Sequence, residues 1–368
     1  MKKRLAFNKK GVKFHTMNEK NITLNDSLGF TPYMKDVQDQ PYAVDRLLTL
    51  ASSVSSLAPL SELLGATRVI ISGMGSSHFT TYPIYKALIK AGVPTWRIDS
   101  AQLLDLLPEI VIPGTVLWLT SQSGESGEII QIIECISKEI HIVGVTNNVN
   151  STLANRANTL IELNSGEEAT VSTKSYLNSI LVARIVESEI AQNRSAVMTD
   201  LAGTGKEISR FLDDLEKSIH AFSKFGDGKQ LLLLGRGDSA ISAQAAALIL
   251  KESAKIPAEG MSAGVFRHGP IELSNHQTSV IIFNHDGESE SELNAALASE
   301  LIRNEVEVAW IGNQNFAPTG VLNFITPRFL DPLIGDALAF QTMSFAFAQR
   351  KGIEAGKFLV AQKVTQKL

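Results

Sequence analysis

The chain has 368 residues, 44% of them hydrophobic and 20% charged, with a formal net charge of −4. That length exceeds one typical domain and predicts two α/β domains, each with its own buried core, while the weak charge and the lack of a long basic run exclude nucleic acid as a partner. Cys135 is the single cysteine, which excludes an intrachain disulfide and a multi-cysteine zinc site, so no metal is expected.

The amino terminus, Met1-Lys2-Lys3-Arg4, is basic, but Asn8-Lys9-Lys10 interrupts before any apolar stretch forms, so a signal peptide is not expected. No apolar run approaches the roughly 20 residues of a membrane span. The expected location is the cytoplasm, with no membrane partner, and residues 1 to about 30 read as a polar lead-in.

Short β-branched runs then alternate with helical patterns. Arg68 to Ile71 reads as a strand, Ser77 to Ala91 as an amphipathic helix closed by Gly92 and Pro94, Thr115 to Leu119 as a strand, and Ser126 to Ser137 as a helix. Within that last helix Cys135 reads as a core residue. Strands at Ile140 to Val145 and Thr159 to Leu163 and a helix near Ser172 to Gln192 complete a parallel, doubly wound unit covered on both faces. A polar connector through Ile208 to Leu215 precedes a restart of the same rhythm.

The restart is an internal repeat. Gly73, Gly75 and Ser77 pair with Gly235, Gly237 and Ser239 at one constant offset, and Val116 to Ser126 matches Ser279 to Ser289 at nearly the same one. Each copy continues into a late strand, Leu322 to Thr326 in the second, and a long apolar helix, here Asp331 to about Arg350.

In open parallel sheets, ligands bind beyond the carboxyl ends of the strands, where loop N–H groups and helix N-termini favour anions. Gly-x-Gly by itself serves either a tight turn or a phosphate. The later loop separates the copies: Ser121, Gln122, Ser123 and Ser126 offer hydroxyl and amide donors, whereas the second copy reads Asn284-His285-Asp286, whose carboxylate would repel phosphate. Phosphate binding is therefore expected in the first copy alone, with Glu125 at the helix start pointing outward. In the second copy, an apolar helix from Ala240 to Leu250 ends in Lys251-Glu252-Ser253, and a loop delivers Glu259 to Pro270 with His268. Sugar-phosphate isomerisation needs a carboxylate to carry a proton between C1 and C2 and an imidazole to open the ring.

Gly73-x-Gly75-x-Ser77, Ser121-Gln122-Ser123-Gly124-Glu125-Ser126, Ser172-Thr173-Lys174, Leu250-Lys251-Glu252 and Arg267-His268-Gly269-Pro270 together resemble the double sugar-isomerase-domain (SIS) family. That family includes the isomerase half of glutamine–fructose-6-phosphate transaminase and stand-alone glucosamine-6-phosphate deaminases. The resemblance runs from about Thr31 to the carboxyl terminus, and Pro32 to Pro41 is similar to the family's lead-in helix. It implies two tandem doubly wound parallel-sheet SIS domains, flavodoxin-like three-layer sandwiches. The expected organisation is an extension with lead-in helix over 1–44, a phosphate-binding domain over 45–200, a second domain over 201–345 and a tail over 346–368.

The resemblance further implies that Ser121, Gln122, Ser123 and Ser126 hold the phosphate with help from Ser77. Ser172 and the backbone around Thr170 would meet the sugar hydroxyls. Glu252 would shuttle the proton, His268 would open the ring from the neighbouring subunit of a homodimer, and Lys363 would engage the open-chain sugar. The glutaminase half is missing, so glutamine-dependent synthesis is not expected. The family's run before the lysine reads Lys357-Phe358-Leu359-Val360 here, and Phe266 to Pro270 is similar to the stand-alone deaminases and isomerases. The expected activity is a cofactor-independent deaminase/isomerase acting on glucosamine 6-phosphate or a related sugar phosphate. Alternatives are a deglycase of phosphorylated fructosamines, a plain aldose–ketose isomerase, and a non-catalytic sugar-phosphate sensor.

Overall fold

A computed structural model describes residues 31–285, 287–327, 331–360 and 362–363. Asp286 and the lead-in over 1–30 lie outside these residues. The first sheet contains β1 (Arg68–Gly73), β2 (Thr95–Arg97), β3 (Thr115–Thr120), β4 (His141–Thr146) and β5 (Thr159–Glu162) in the order β2-β1-β3-β4-β5. The second contains β6 (Gln230–Gly235), β7 (Ala258–Ser262), β8 (Thr278–Asn284), β9 (Glu307–Gly312) and β10 (Leu322–Phe324) in the order β10-β9-β8-β6-β7, the same winding. Every pairing is parallel. The tandem, doubly wound architecture expected from the repeat is the architecture observed.

Alternation along the strands explains the layers, because successive side chains point to opposite faces. Val69 and Ile71 join Trp118, Val143 and Val145 on one face of the first sheet. Ile70 joins Leu117, Leu119 and Ile142 on the other, beneath Ile129 and Ile132. In the second sheet Leu231, Leu233, Ile281 and Phe283 face inward, and Leu232, Leu234, Val280 and Ile282 face outward.

The inward faces of both sheets belong to one continuous apolar cluster, where a separate core for each half was expected. The cause is the helices Lys174–Ile190, Ser239–Ala254 and Pro332–Lys351, which are buried over most of their lengths. A helix that is apolar all round is packed on all sides, so these helices form a shared middle layer within the chain.

Other expectations change locally. The single helix expected from Ser77 to Ala91 is a turn at Ser76–Phe79 followed by a helix at Tyr82–Lys90, with Pro83 in its first turn. The loop expected to deliver Glu259 begins as β7, an edge strand paired with β6. Cys135 is exposed rather than in the core. It ends the helix Gly127–Cys135 and falls off the stripe that buries Ile129 and Ile132, since six residues of helix rotate it about 120° from Ile129.

Candidate functional site

The site is assembled at the carboxyl ends of β1, β3, β4 and β5, starting with two glycines whose backbone geometry fixes the loops. A side chain on Gly73 would lie 2.8 Å from the Thr120 carbonyl and 3.1 Å from the His78 nitrogen, so glycine lets the Ser76–Phe79 turn close onto β1. Gly124 has φ +65, and a Cβ there would sit 2.1 Å from Ser151 Oγ. Only glycine meets both demands.

Within the Ser121–Ser126 loop, Ser121 Oγ accepts from Gly124 N at 3.1 Å and Ser123 Oγ accepts from Glu125 N at 3.1 Å. A hydroxyl that accepts one bond still has its own proton to donate, so these bonds fix where each O–H can aim. Ser126 precedes the helix Gly127–Cys135 in extended conformation, and its side chain caps no helix N–H. The N–H groups of Gln122, Ser123, Ser126 and Gly127 have no acceptor among the described residues. Together these form a cradle of neutral donors at a helix N-terminus, suited to an anion.

Two neighbours adjust the charge. Glu125 does not point outward; its carboxylate accepts from Thr152 N at 2.6 Å and Thr152 Oγ1 at 3.0 Å, capping the helix Thr152–Arg156. The adjacent helix start outcompetes solvent for the carboxylate and draws it onto that cap. Ser77 lies half-buried in the Ser76–Phe79 turn, next to His78. Burial, then Arg97, lowers the His78 imidazole to about 4, so it is neutral beside the cradle at physiological pH.

Asn147 links this loop to the next. Its N–H donates to the Gln122 carbonyl at 3.0 Å, its amide to the Gly166 carbonyl at 2.7 Å, and its Oδ1 accepts from Ser165 N and Oγ at 2.8 Å. Beyond Ser165 the chain carries Glu168, Thr170 and Ser172. Ser172 Oγ lies 3.0 Å from Ser175 Oγ, and the Thr170 hydroxyl is buried without a partner among the described residues. Lys174 pins this loop from beneath, 3.1 Å from both Asp36 and Asp39 of the lead-in segment.

The second half supplies Glu252. Its helix, Ser239–Ala254, passes the first Gly-rich loop so closely that a Cβ on Gly75 would meet Leu248 Cδ2 at 3.2 Å. Glu252 follows one turn later. Burial pushes its carboxyl above the usual range, against the opposing pull of Lys363 and Lys255. Tyr33 is fully buried nearby; burial raises its phenol, and the charges of Glu252, Glu168 and Asp36 act in the same direction. Lys363 Nζ donates to Glu168 Oε2 at 2.8 Å and also to the Thr170 carbonyl.

Glu252, Lys363, Thr170 and Tyr33 are thus brought together from both halves of the chain. His268 is not brought to them. It is exposed on the turn after Ala263–Phe266, and its imidazole has no partner among the described residues. Sequence reasoning missed Glu168, Tyr33 and Asp36. The acidic pair Glu167-Glu168, set among small residues before Ser172-Thr173-Lys174, was the available signal for the first.

The matching region of the second copy is filled by its own side chains. Ser239 Oγ accepts from His285 N at 3.3 Å, and Asn284 bonds both Ser291 and Asn294. His285 Nε2 lies 2.5 Å from the buried Asp336, and Asp238 is paired with Arg184 and Lys86 of the first half.

The SIS domain family matches residues 224–325, which include the strands of the second sheet. The second half of the chain is thus similar to a SIS domain. Glutamine–fructose-6-phosphate aminotransferase (isomerizing) of Pyrococcus horikoshii is 28% identical over 255 residues, covering 67% of this chain and 42% of the relative. The enzyme of that name from Caulobacter vibrioides is 28% identical over 346 residues, covering 87% and 56%. The chain therefore spans about half the length of these curated relatives or less. Its fold is also that of the C-terminal domain of glucosamine-fructose-6-phosphate aminotransferase from Francisella tularensis, at TM-score 0.79 and 20% identity over 89% of this chain and 98% of that one. Glucosamine-6-phosphate deaminase from Thermotoga maritima aligns at TM-score 0.71 and 19% identity over 91% and 99%. Tagatose-6-phosphate ketose/aldose isomerase from Escherichia coli aligns at 0.74 and 19% over 92% and 98%.

Proposed function

We propose that this SIS protein is an amino-sugar-phosphate deaminase/isomerase that converts glucosamine 6-phosphate to fructose 6-phosphate and ammonia. The observation that carries the reading is Glu252, a half-buried carboxyl whose partial desolvation raises its proton affinity, one helical turn beyond the contact with the first Gly-rich loop. A base whose pKa is drawn toward the working pH both accepts and returns a proton efficiently.

The phosphate is held by Ser77, Ser121, Gln122, Ser123 and Ser126, with the sugar extending toward Thr170 and Ser172. His268 of a second subunit assists ring opening. Glu252 takes the proton from C2 of the open-chain amino aldose, giving an enolamine, and returns it to C1. The resulting C2 imine adds water and expels ammonia, while Lys363 faces the open-chain sugar. No redox step or external acceptor is needed.

Purified protein is expected to release ammonia from glucosamine 6-phosphate, and Glu252→Gln to lower kcat by at least about a hundredfold, the usual contribution of a general base. Absence of ammonia with every hexosamine phosphate, together with a wild-type Glu252→Gln, would sink this reading. Interconversion of a phosphorylated aldose and ketose without ammonia would instead support the plain isomerase.

A further inference from the structure

The chain's carboxyl-terminal segment is tied to both halves. Gly352, with φ +66, ends the helix Pro332–Lys351, and Gly356 N then donates to the Ser253 carbonyl at 3.0 Å. Gly356 itself has φ +78 and lies where a Cβ would come within 2.5 Å of Tyr33 Cβ. Lys255 Nζ donates to the Lys357 carbonyl at 2.6 Å, and Lys351 Nζ to the Lys255 carbonyl at 2.7 Å. The segment next has a described side-chain tie at Lys363.

Glu168 is what Lys363 reaches. Its side chain is fully buried. Oε1 accepts from Thr173 N at 2.8 Å, Thr173 Oγ1 at 3.0 Å and Ser175 N at 3.1 Å, and Oε2 accepts from Ser175 Oγ and Lys363 Nζ, each at 2.8 Å. A carboxylate enclosed in this way has no face left for a substrate. It is also an anion that burial would expel unless a cation paired with it, and Lys363 is the ammonium that does so. The neighbouring cation, Lys174, is committed to Asp36, Asp39 and the Glu167 carbonyl.

We propose that Glu168 is a positioning residue that docks the carboxyl-terminal segment through Lys363, holding this amine on the sugar side of the site without itself touching the sugar. The proposal rests on the functional reading above only for what the amine then does. The docking is a property of the ligand-free protein and is measured without any sugar.

The test is amine acylation of the full chain, with each lysine followed by mass spectrometry. In the wild type Lys363 should react at least about tenfold more slowly than Lys357, whose side chain is 61% exposed, since an amine in a charge-assisted bond to a buried acid is withheld from the reagent. Glu168→Gln should bring Lys363 close to the Lys357 rate while Lys174, 5% exposed, stays protected. Equal rates for Lys363 and Lys357 in the wild type, or an unchanged Lys363 rate in Glu168→Gln, overturn the proposal.

Should Glu168→Gln fail to fold, Lys363→Met carries the test. Amide exchange over residues 353–360 should then accelerate, and no acceleration overturns the docking. With sugar phosphate, Glu168→Gln and Lys363→Met should each lower kcat with little change in KM, their double variant should be no worse than Lys363→Met alone, and Glu168→Asp should recover part of the Glu168→Gln loss. Additive losses overturn the positioning role. If the wild type neither binds nor turns over a sugar phosphate, the functional reading fails while the labelling result stands.

Discussion

Glu252 and Glu168 lie near the same ammonium, yet their proton affinities move apart. Burial dominates at Glu252 and raises its carboxyl against Lys363 and Lys255. Burial also acts to raise Glu168, but the charge and hydrogen bond of Lys363, with bonds from Thr173 and Ser175, outweigh it and hold the carboxyl below the usual range. Two carboxyls driven apart by their surroundings suit different tasks: the raised one fits the proton transfer proposed for Glu252, and the lowered one stays an anion. Linkage converts this into opposite signs of stability. For Glu168 the folded value is below the unfolded one, so its contribution is present above the unfolded pKa and is lost as pH falls through the folded value. For Glu252 the folded value is above, so a cost appears as pH rises through the unfolded pKa and is complete above the folded one. Thermal unfolding across pH 3 to 8 should therefore show Glu252→Gln gaining stability over the wild type as pH rises, whereas Glu168→Gln loses it. Parallel curves for the two variants would contradict the assignment. In the proposed mechanism, kcat/KM should climb with pH along a limb set above the ordinary carboxylate range, because that mechanism needs Glu252 ionised to take the C2 proton.

At the scale of the element, the Ser121–Ser126 loop depends on a backbone that only Gly124 allows. Gly124→Ala combines left-handed strain with a collision at Ser151. Gly92→Ala, at φ +81 with nothing within 4 Å among the described residues, supplies the strain alone. Both should lose about 1 kcal/mol to strain, with Gly124→Ala losing some 1–3 kcal/mol more and, unlike Gly92→Ala, losing the thermal shift induced by glucosamine 6-phosphate. Equal behaviour of the two would remove the loop from the binding site. This loop was legible in the sequence because its strand, turn and helix repeat in register in the second copy, where Asn284-His285 replaces Ser121-Gln122. What was not legible is set by contacts distant in sequence. β7 reads Ala-Glu-Gly-Met-Ser and becomes a strand only because β6 offers it a ladder. Glu125 turns inward because Thr152 presents an open helix start 27 residues away. Glu168 gains its place from Lys363, 195 residues further along the chain, a pairing no local pattern encodes.

Across the whole molecule, the two halves are asymmetric by occupation. Arg184 of the first half holds Asp238 and Asp331 of the second at 3.2 and 2.6 Å, and Lys86 adds a further bond to Asp238. Asp238 belongs to the second copy of the Gly-x-Gly loop, so the turn that carries Ser76 and Ser77 in one copy is an inter-half clamp in the other. Among the described residues this leaves one cradle, the Ser121–Ser126 loop, with His268 elsewhere. The surroundings of His268 fit delivery to a second copy of the chain. The imidazole has no partner among the described residues, and Val265 on the same turn is 58% exposed. In a twofold dimer, a residue placed against the partner's site is placed against both sites at once. Mixing is the decisive measurement. Glu252→Gln and His268→Asn should each be inactive as homodimers. After unfolding and refolding together in equal amounts, half the dimers are heterodimers, each with one site carrying both substitutions and one carrying neither, so activity should return to about a quarter of the wild-type value. If His268 acted within its own chain, every site in the mixture would carry one substitution, and no activity would return.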